Sequence, residues 1–333
     1  MVSFVPLWLI LRLRARTRSE RELSAPWVRC LRSVCFLVLW LVDPISGFAS
    51  VAAQSSHYQE ALEKYRSQDY ATALVAARRA LEEDSNNPSY RHIYGLTLAA
   101  LQRFREAEEN LQKAIALKPA EANFHYDYGY VLYQEKKYDQ AVPVLKRAVE
   151  LDGENVMARF LLGRTYVSSH RSLLIGNFSQ LALEQFKFIA DKNPRFPSVH
   201  LHIARIYSNN GDKEKALQEL NTEMELFPTD AQARVELGEL LLKLGQPEKA
   251  LQHLVLAEKQ APRMPLVHYT LAKAYRERTQ RTEAIKAAQE CVQLDPDFAE
   301  AHYLLGQLYQ ETNQPELARR EMEVFQKIKR REP

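Results

Sequence analysis

The chain has 333 residues, enough for two ordinary globular domains, with 46% apolar and 26% charged residues and a formal net charge of +3. That charge is uneven: residues 1–53 carry seven Arg against Glu20, Glu22 and Asp43, leaving 38 basic and 39 acidic residues in the remainder. A near-neutral body has no electrostatic footprint for nucleic acid, and its single Cys291 excludes an intramolecular disulfide there.

Ser33 to Val42 reads SVCFLVLWLV, a short apolar run behind Arg29 and Arg32, broken by Asp43-Pro44 and followed by Val51-Ala52-Ala53. Basic flank, short apolar core and small residues at a cleavage site are the parts of a secretory signal. A spanning helix would want about 18 apolar residues or more. The long basic lead and the earlier apolar piece Phe4–Leu11 leave two alternatives for 1–53. One is a cleaved signal peptide. The other is an uncleaved N-terminal anchor, which would be the chain's only membrane contact. Either way the expected location is outside the cytoplasm, in a periplasm or secreted. All three Trp (Trp8, Trp27, Trp40) lie in this segment.

From there a fixed period organises the chain. Ala73, Ala107, Ala141, Ala182, Ala216, Ala250, Ala284 and Ala318 recur at intervals of 34, with one of 41. Ala61, Gly95, Gly129, Ala204, Gly238, Ala272 and Gly306 stand twelve residues before their Ala, and Gly163 plays that part in the long repeat. Pro119, Pro194, Pro228, Pro262 and Pro296 fall twelve after, where a second helix must stop. Each repeat therefore predicts helix A, a short turn and helix B, with small residues where the two backbones approach. Leu96, Leu237 and Tyr275 are expected to fill the apolar seam. Ordinary repeat lengths give boundaries near 54–87, 88–121, 122–155, 156–196, 197–230, 231–264, 265–298 and 299–332, one eight-repeat domain over 54–333.

The stretches YGLTLAALQRFREAEENLQKAIALKP (94–119), YGYVLYQEKKYDQAVPVLKRAVELD (128–152) and LGELLLKLGQPEKALQHLVLAEKQAP (237–262) resemble the tetratricopeptide repeat. So does LAKAYRERTQRTEAIKAAQECVQLDP (271–296). Behind a signal sequence, the whole resembles an exported bacterial protein of that family. The resemblance implies an all-α solenoid, a right-handed superhelix of eight helix-turn-helix repeats, acting as a non-catalytic scaffold with no cofactor. It also implies a groove lined by helix A at its second, fifth, ninth and twelfth places, holding a peptide or helix of another protein. Those places supply His92, Tyr126, Tyr130, Tyr133, Phe160, Arg164, Arg205, Tyr269, Lys273, Arg276 and Tyr303, joined by Tyr58 and Tyr65 if the first repeat keeps register. Tyr and Arg are what binding hot spots favour. The alternative is that these rings pack between neighbouring repeats. No Asn stands at any ninth place, so the carboxylate clamp of some relatives is not supported.

Three further features bear on function. The fourth place of each repeat reads His57, Arg91, His125, Arg159, His200, Arg234, His268 and His302. As a cationic stripe it would suit an anionic polymer such as a glycan; as ordinary packing its heads would snorkel to water. His200 and His202 are two apart on a helix and face apart, which argues against a metal pair, and Cys291 occupies a small core place. Residues 168–180, SSHRSLLIGNFSQ, hold seven extra residues with an apolar centre, either a docking loop or a helix extension. The last repeat carries Leu317, Met322, Val324, Phe325 and Ile328, an apolar face expected to self-associate or dock.

Overall fold

A computed structural model describes residues 55–169 and 178–331, and among these the only regular structure is helical. The signal or anchor region 1–53 lies outside the described residues, as do Leu173, Leu174 and Ile175 of the insertion. Among the described residues no helix is long and apolar enough to cross a membrane.

The helices alternate A and B in chain order. They are α1 Ser56–Arg66, α2 Tyr70–Glu83, α3 Pro88–Ala100, α4 Phe104–Leu117, α5 Ala122–Gln134, α6 Tyr138–Leu151, α7 Val156–Ser168 and α8 Phe178–Lys192. Then come α9 Val199–Asn209, α10 Lys213–Leu226, α11 Ala231–Lys243, α12 Pro247–Gln260, α13 Pro265–Glu277, α14 Arg281–Leu294, α15 Ala299–Glu311 and α16 Pro315–Lys329. Starts follow from capping chemistry. The Asp69, Asn87 and Asp230 carboxylate or amide oxygens accept backbone N–H groups of the first turn, and Pro88, Pro247, Pro265 and Pro315 open their helices.

The helices gather into two compact units, one of residues up to 135 with 147–157, the other of 136–146 with 158 onward. In the first, α1 pairs with α2 and α3 with α4, while the A helices α1, α3 and α5 lie side by side. In the second, α9/α10, α11/α12, α13/α14 and α15/α16 pair, with α11, α13 and α15 side by side.

Small residues set the closeness of each pair. Ala61, Ala73, Ala107, Ala216, Ala250 and Ala284 are fully buried. A Cβ on Gly95 would stand 2.9 Å from Leu111 Cγ, and one on Gly238 2.7 Å from Leu254 Cδ2, closer than carbon atoms sit. Within the seam Leu237 is buried as expected, but Leu96 and Tyr275 are only half-buried. Leu98, two residues on from Leu96, fills that seam instead, because Leu96 turns onto the A-helix face.

The turn from A to B carries a signal that the period hides. Its left-handed residue recurs as Gln68, Gln102, Lys136, Gly211, Gly245, Thr279 and Asn313, with φ between 57° and 87°. Only two are glycine. Thr279, β-branched at φ 60°, is the most strained of the set. Thr279→Gly is expected to raise stability by about 1 kcal/mol in urea denaturation.

The final helix corrects an expectation. Phe325 packs on Tyr303 with ring centroids 5.2 Å apart, Met322 lies against Gly306, and Ile328 is buried. The apolar face expected to be open is mostly closed by its own helix A, leaving Leu317 exposed.

Candidate partner-binding face

In the first unit the 34-residue period stacks three rows across α1, α3 and α5. Tyr58, His92 and Tyr126 form one; Leu62, Leu96 and Tyr130 the next; Tyr65, Ala99 and Tyr133 the third. Positions i, i+4 and i+7 share one helix face. Tyr130 is 37% exposed and the other eight are half-buried, so none of the nine is core and none is an idle surface residue. The charge on this face is internal: His92 Nε2 meets Asp127 Oδ2 at 2.8 Å and its ring stacks on Phe124. Burial above all, then the Asp127 charge, pushes the Tyr65 and Tyr126 hydroxyls well above the usual phenol range, so both stay protonated. Gln134 Nε2 donates to the Tyr130 hydroxyl oxygen at 2.5 Å.

The second unit has a different face. Phe160 stands at the fifth place of α7, but it is clustered with Phe186, Phe196 and His202 at centroid distances of 5.0–5.7 Å, with Arg164 over its ring. Tyr269 leans on Phe298 and Tyr303 on Phe325, each showing one side, and Tyr303 is 43% exposed. The cations here are matched by acids that the sequence reading left out. Arg205 Nε donates to Glu236 at 2.6 Å, Lys273 lies 3.6 Å from Glu239, and Arg276 binds Glu311 at 2.5 Å and Gln307 at 2.9 Å. The structure thus brings together the candidates of each unit on one A-helix face, and separates them by chemistry. One face is aromatic, the other ion-paired.

The fourth-place stripe is not a row of free cations. His125, His268 and His302 are buried at 8%, 6% and 7% exposure, and each ring Nε2–H donates to the carbonyl of the proline six residues earlier (Pro119, Pro262, Pro296) at 2.8–3.0 Å. Arg234 does the same to Pro228 at 2.7 Å. These heads tie the start of helix A to the linker before it, which corrects both the polyanion stripe and the snorkelling alternative. The signal was in the sequence, since every one of the five linker prolines is followed six residues later by His or Arg.

Other titratable groups are also occupied by the fold. Burial first, then Arg205 and Arg164, lowers His202 to about 3; it stacks on Phe186 at 5.0 Å. His200 turns the other way and pairs with Glu219 at 2.7 Å. Glu223, fully buried, accepts the backbone N–H groups of Ser198 and Leu201 at the start of α9. Burial pushes the Cys291 thiol up to about 12, which leaves it unreactive at neutral pH. Among the described residues no group of three or more His, Cys, Asp or Glu is placed to hold a metal ion.

Comparison with known proteins agrees with this architecture. A tetratricopeptide-repeat model matches residues 94–156, 131–169 and 203–265; a TPR-repeat model matches 272–313; a further tetratricopeptide-repeat model matches 299–330. The human protein O-mannosyl-transferase TMTC3 is 25% identical over 190 residues, 54% of this chain, and the match spans only 21% of the transferase. The solved structure from the functional characterization of Pseudomonas aeruginosa PilF aligns at TM-score 0.54 and 20% identity, over 65% of this chain and 96% of that one. A tetratricopeptide repeat protein from Parabacteroides merdae aligns at TM-score 0.58 and 13% identity, over 77% of this chain and 100% of its own. At these identities the structural likeness concerns the fold.

Proposed function

Because the chain belongs to the tetratricopeptide-repeat family, we propose that it is a non-catalytic scaffold that holds a segment of another protein on its A-helix faces. The family as a whole mediates protein–protein contact. The observation that carries the reading to a particular surface is the nine-residue face of α1, α3 and α5, uniformly half-exposed, ring-rich and internally neutral. Aromatic area with hydroxyl ends is the composition of binding hot spots. The buried His, Glu and Cys groups support a non-catalytic role, because each is held by packing or by backbone caps. A carrier for an anionic polymer is disfavoured by the same geometry, since the cations are paired with acids or turned onto carbonyls.

The proposed site of action is outside the cytoplasm, on the strength of the Ser33–Val42 run and the Val51-Ala52-Ala53 site. One preparation tests both parts. Photo-crosslinking residues placed at Tyr130, and at the exposed helix B residues Val75 and Leu117, are expressed in the native host. Crosslinks to one protein from Tyr130 and none from the other two are expected, with a processed chain beginning near Gln54 by N-terminal sequencing. Equal crosslinking from all three positions would refute the face, and an intact Arg12–Arg32 segment would refute cleavage.

A further inference from the structure

The hydrogen-bonding character of the first unit's face narrows the kind of segment it can hold, given the reading above that it holds one. The face offers rings and hydroxyl protons but few acceptors. Asp127, the carboxylate beside the rows, is engaged by His92, and the Tyr130 oxygen already accepts from Gln134. What the Tyr130 hydroxyl has left to give is its own proton, and Tyr65 and Tyr126 likewise stay protonated donors.

Three backbone forms can be set against that surface. A helical segment spends its carbonyls internally, so hydroxyl donors would find only side chains. A β-strand brings N–H groups that need acceptors the face does not supply, and an unpaired buried N–H costs stability. A polyproline II segment rich in proline has free carbonyls, lacks N–H at each proline, and is already ordered before it binds. Its rings pack on aromatic faces, the mode by which aromatic-lined grooves take such ligands. The face carries no net charge, so the matching segment is uncharged too.

We infer that the A-helix face of α1, α3 and α5 binds an uncharged, proline-rich segment in the polyproline II form, with the tyrosine rings against its prolines and the Tyr130 hydroxyl donating to one of its carbonyls. An acetylated and amidated deca-proline carrying fluorescein serves as the probe for the full-length chain. An alanine-based helical peptide and a Gly-Ser peptide of equal length, labelled alike, serve as comparators. Saturable anisotropy with deca-proline alone is expected. Tyr130→Ala should weaken it roughly tenfold, and Tyr130→Phe, which keeps the ring and removes the donor, about three- to fivefold. Leu117→Ala, on a helix B, should leave it unchanged.

Tyr130 is the most exposed of the nine residues, so its substitutions test contact rather than folding. No saturation by deca-proline, or preference for the helical peptide, overturns the inference. If in-cell crosslinks still come from Tyr130 in that case, the scaffold reading stands and only the class of segment is wrong. If those crosslinks are absent as well, the underlying reading fails with it.

Discussion

Phe186→Ala should cost about 3–5 kcal/mol in urea denaturation, the largest single loss expected in the molecule. The ring is fully buried on α8 and serves three neighbours at once. Phe160 meets it edge-on at 5.7 Å, His202 stacks on it at 5.0 Å, and Gly163 approaches so closely that a Cβ there would lie 2.8 Å from its Cε1 and Cζ atoms. A double-mutant cycle isolates that last contact. Alone, Gly163→Ala gains helix propensity but presses a methyl into the ring, for a net loss of about 1 kcal/mol. In the Phe186→Ala background the methyl has room and should be neutral or stabilising. Additive losses would show that Gly163 does not set the approach of the ring. Against a total stability of about 5–15 kcal/mol, the Phe186 loss is enough to loosen the bed on which Phe160 and Arg164 sit.

Acid should destabilise the second unit through His202. Its folded pKa is lowered to about 3, first by burial and then by Arg205 and Arg164, while the unfolded ring titrates near the ordinary 6.5. A depressed pKa means the folded state refuses the proton that the unfolded state accepts. The stability is therefore complete above the unfolded value and is lost as pH falls from there toward the folded value. Between pH 7 and pH 5 the loss is about 2 kcal/mol. His200 has the opposite sign: its pKa is raised, chiefly by the hydrogen bond to Glu219, so its contribution is present in acid and lost as pH rises through the folded value. Comparison with His202→Phe separates the two, since a phenyl can keep the stack on Phe186 and leaves His200 in place. The wild type should lose about 2 kcal/mol more than this variant over that pH interval. Parallel stability curves would contradict the account of His202.

The fold was legible because its determinants are local and repeated. The 34-residue spacing of small residues marked where helices touch, and Gly95 and Gly238 stand against Leu111 and Leu254 as that spacing implied. Left-handed turns were less legible, since Gln68, Gln102, Lys136, Thr279 and Asn313 do not advertise a positive φ as glycine does. For the candidate site, the face was readable from helical spacing, but its charge state was not. Arg205 with Glu236 and Arg276 with Gln307 are 31 residues apart, one repeat less a helical turn, a pairing that only side-by-side A helices create. Phe160 shows the limit from the other side. Its place in the repeat pointed to the groove, yet its neighbours Phe186, Phe196 and His202 come from helix B and from the following linker and helix.

The most direct test of a partner-binding face measures affinity and stability together for the protein captured by crosslinking. Titration of that partner into the full chain, the Tyr126→Ala and Tyr130→Ala variants and Leu117→Ala gives the affinities, and thermal unfolding of each gives stability. The tyrosine variants should each lose about 1–3 kcal/mol of binding, with thermal midpoints close to that of the parent and Leu117→Ala unchanged in both. Loss of binding only in proportion to loss of thermal stability, or full affinity in both tyrosine variants, would show that these rings serve the fold and that the partner is held elsewhere.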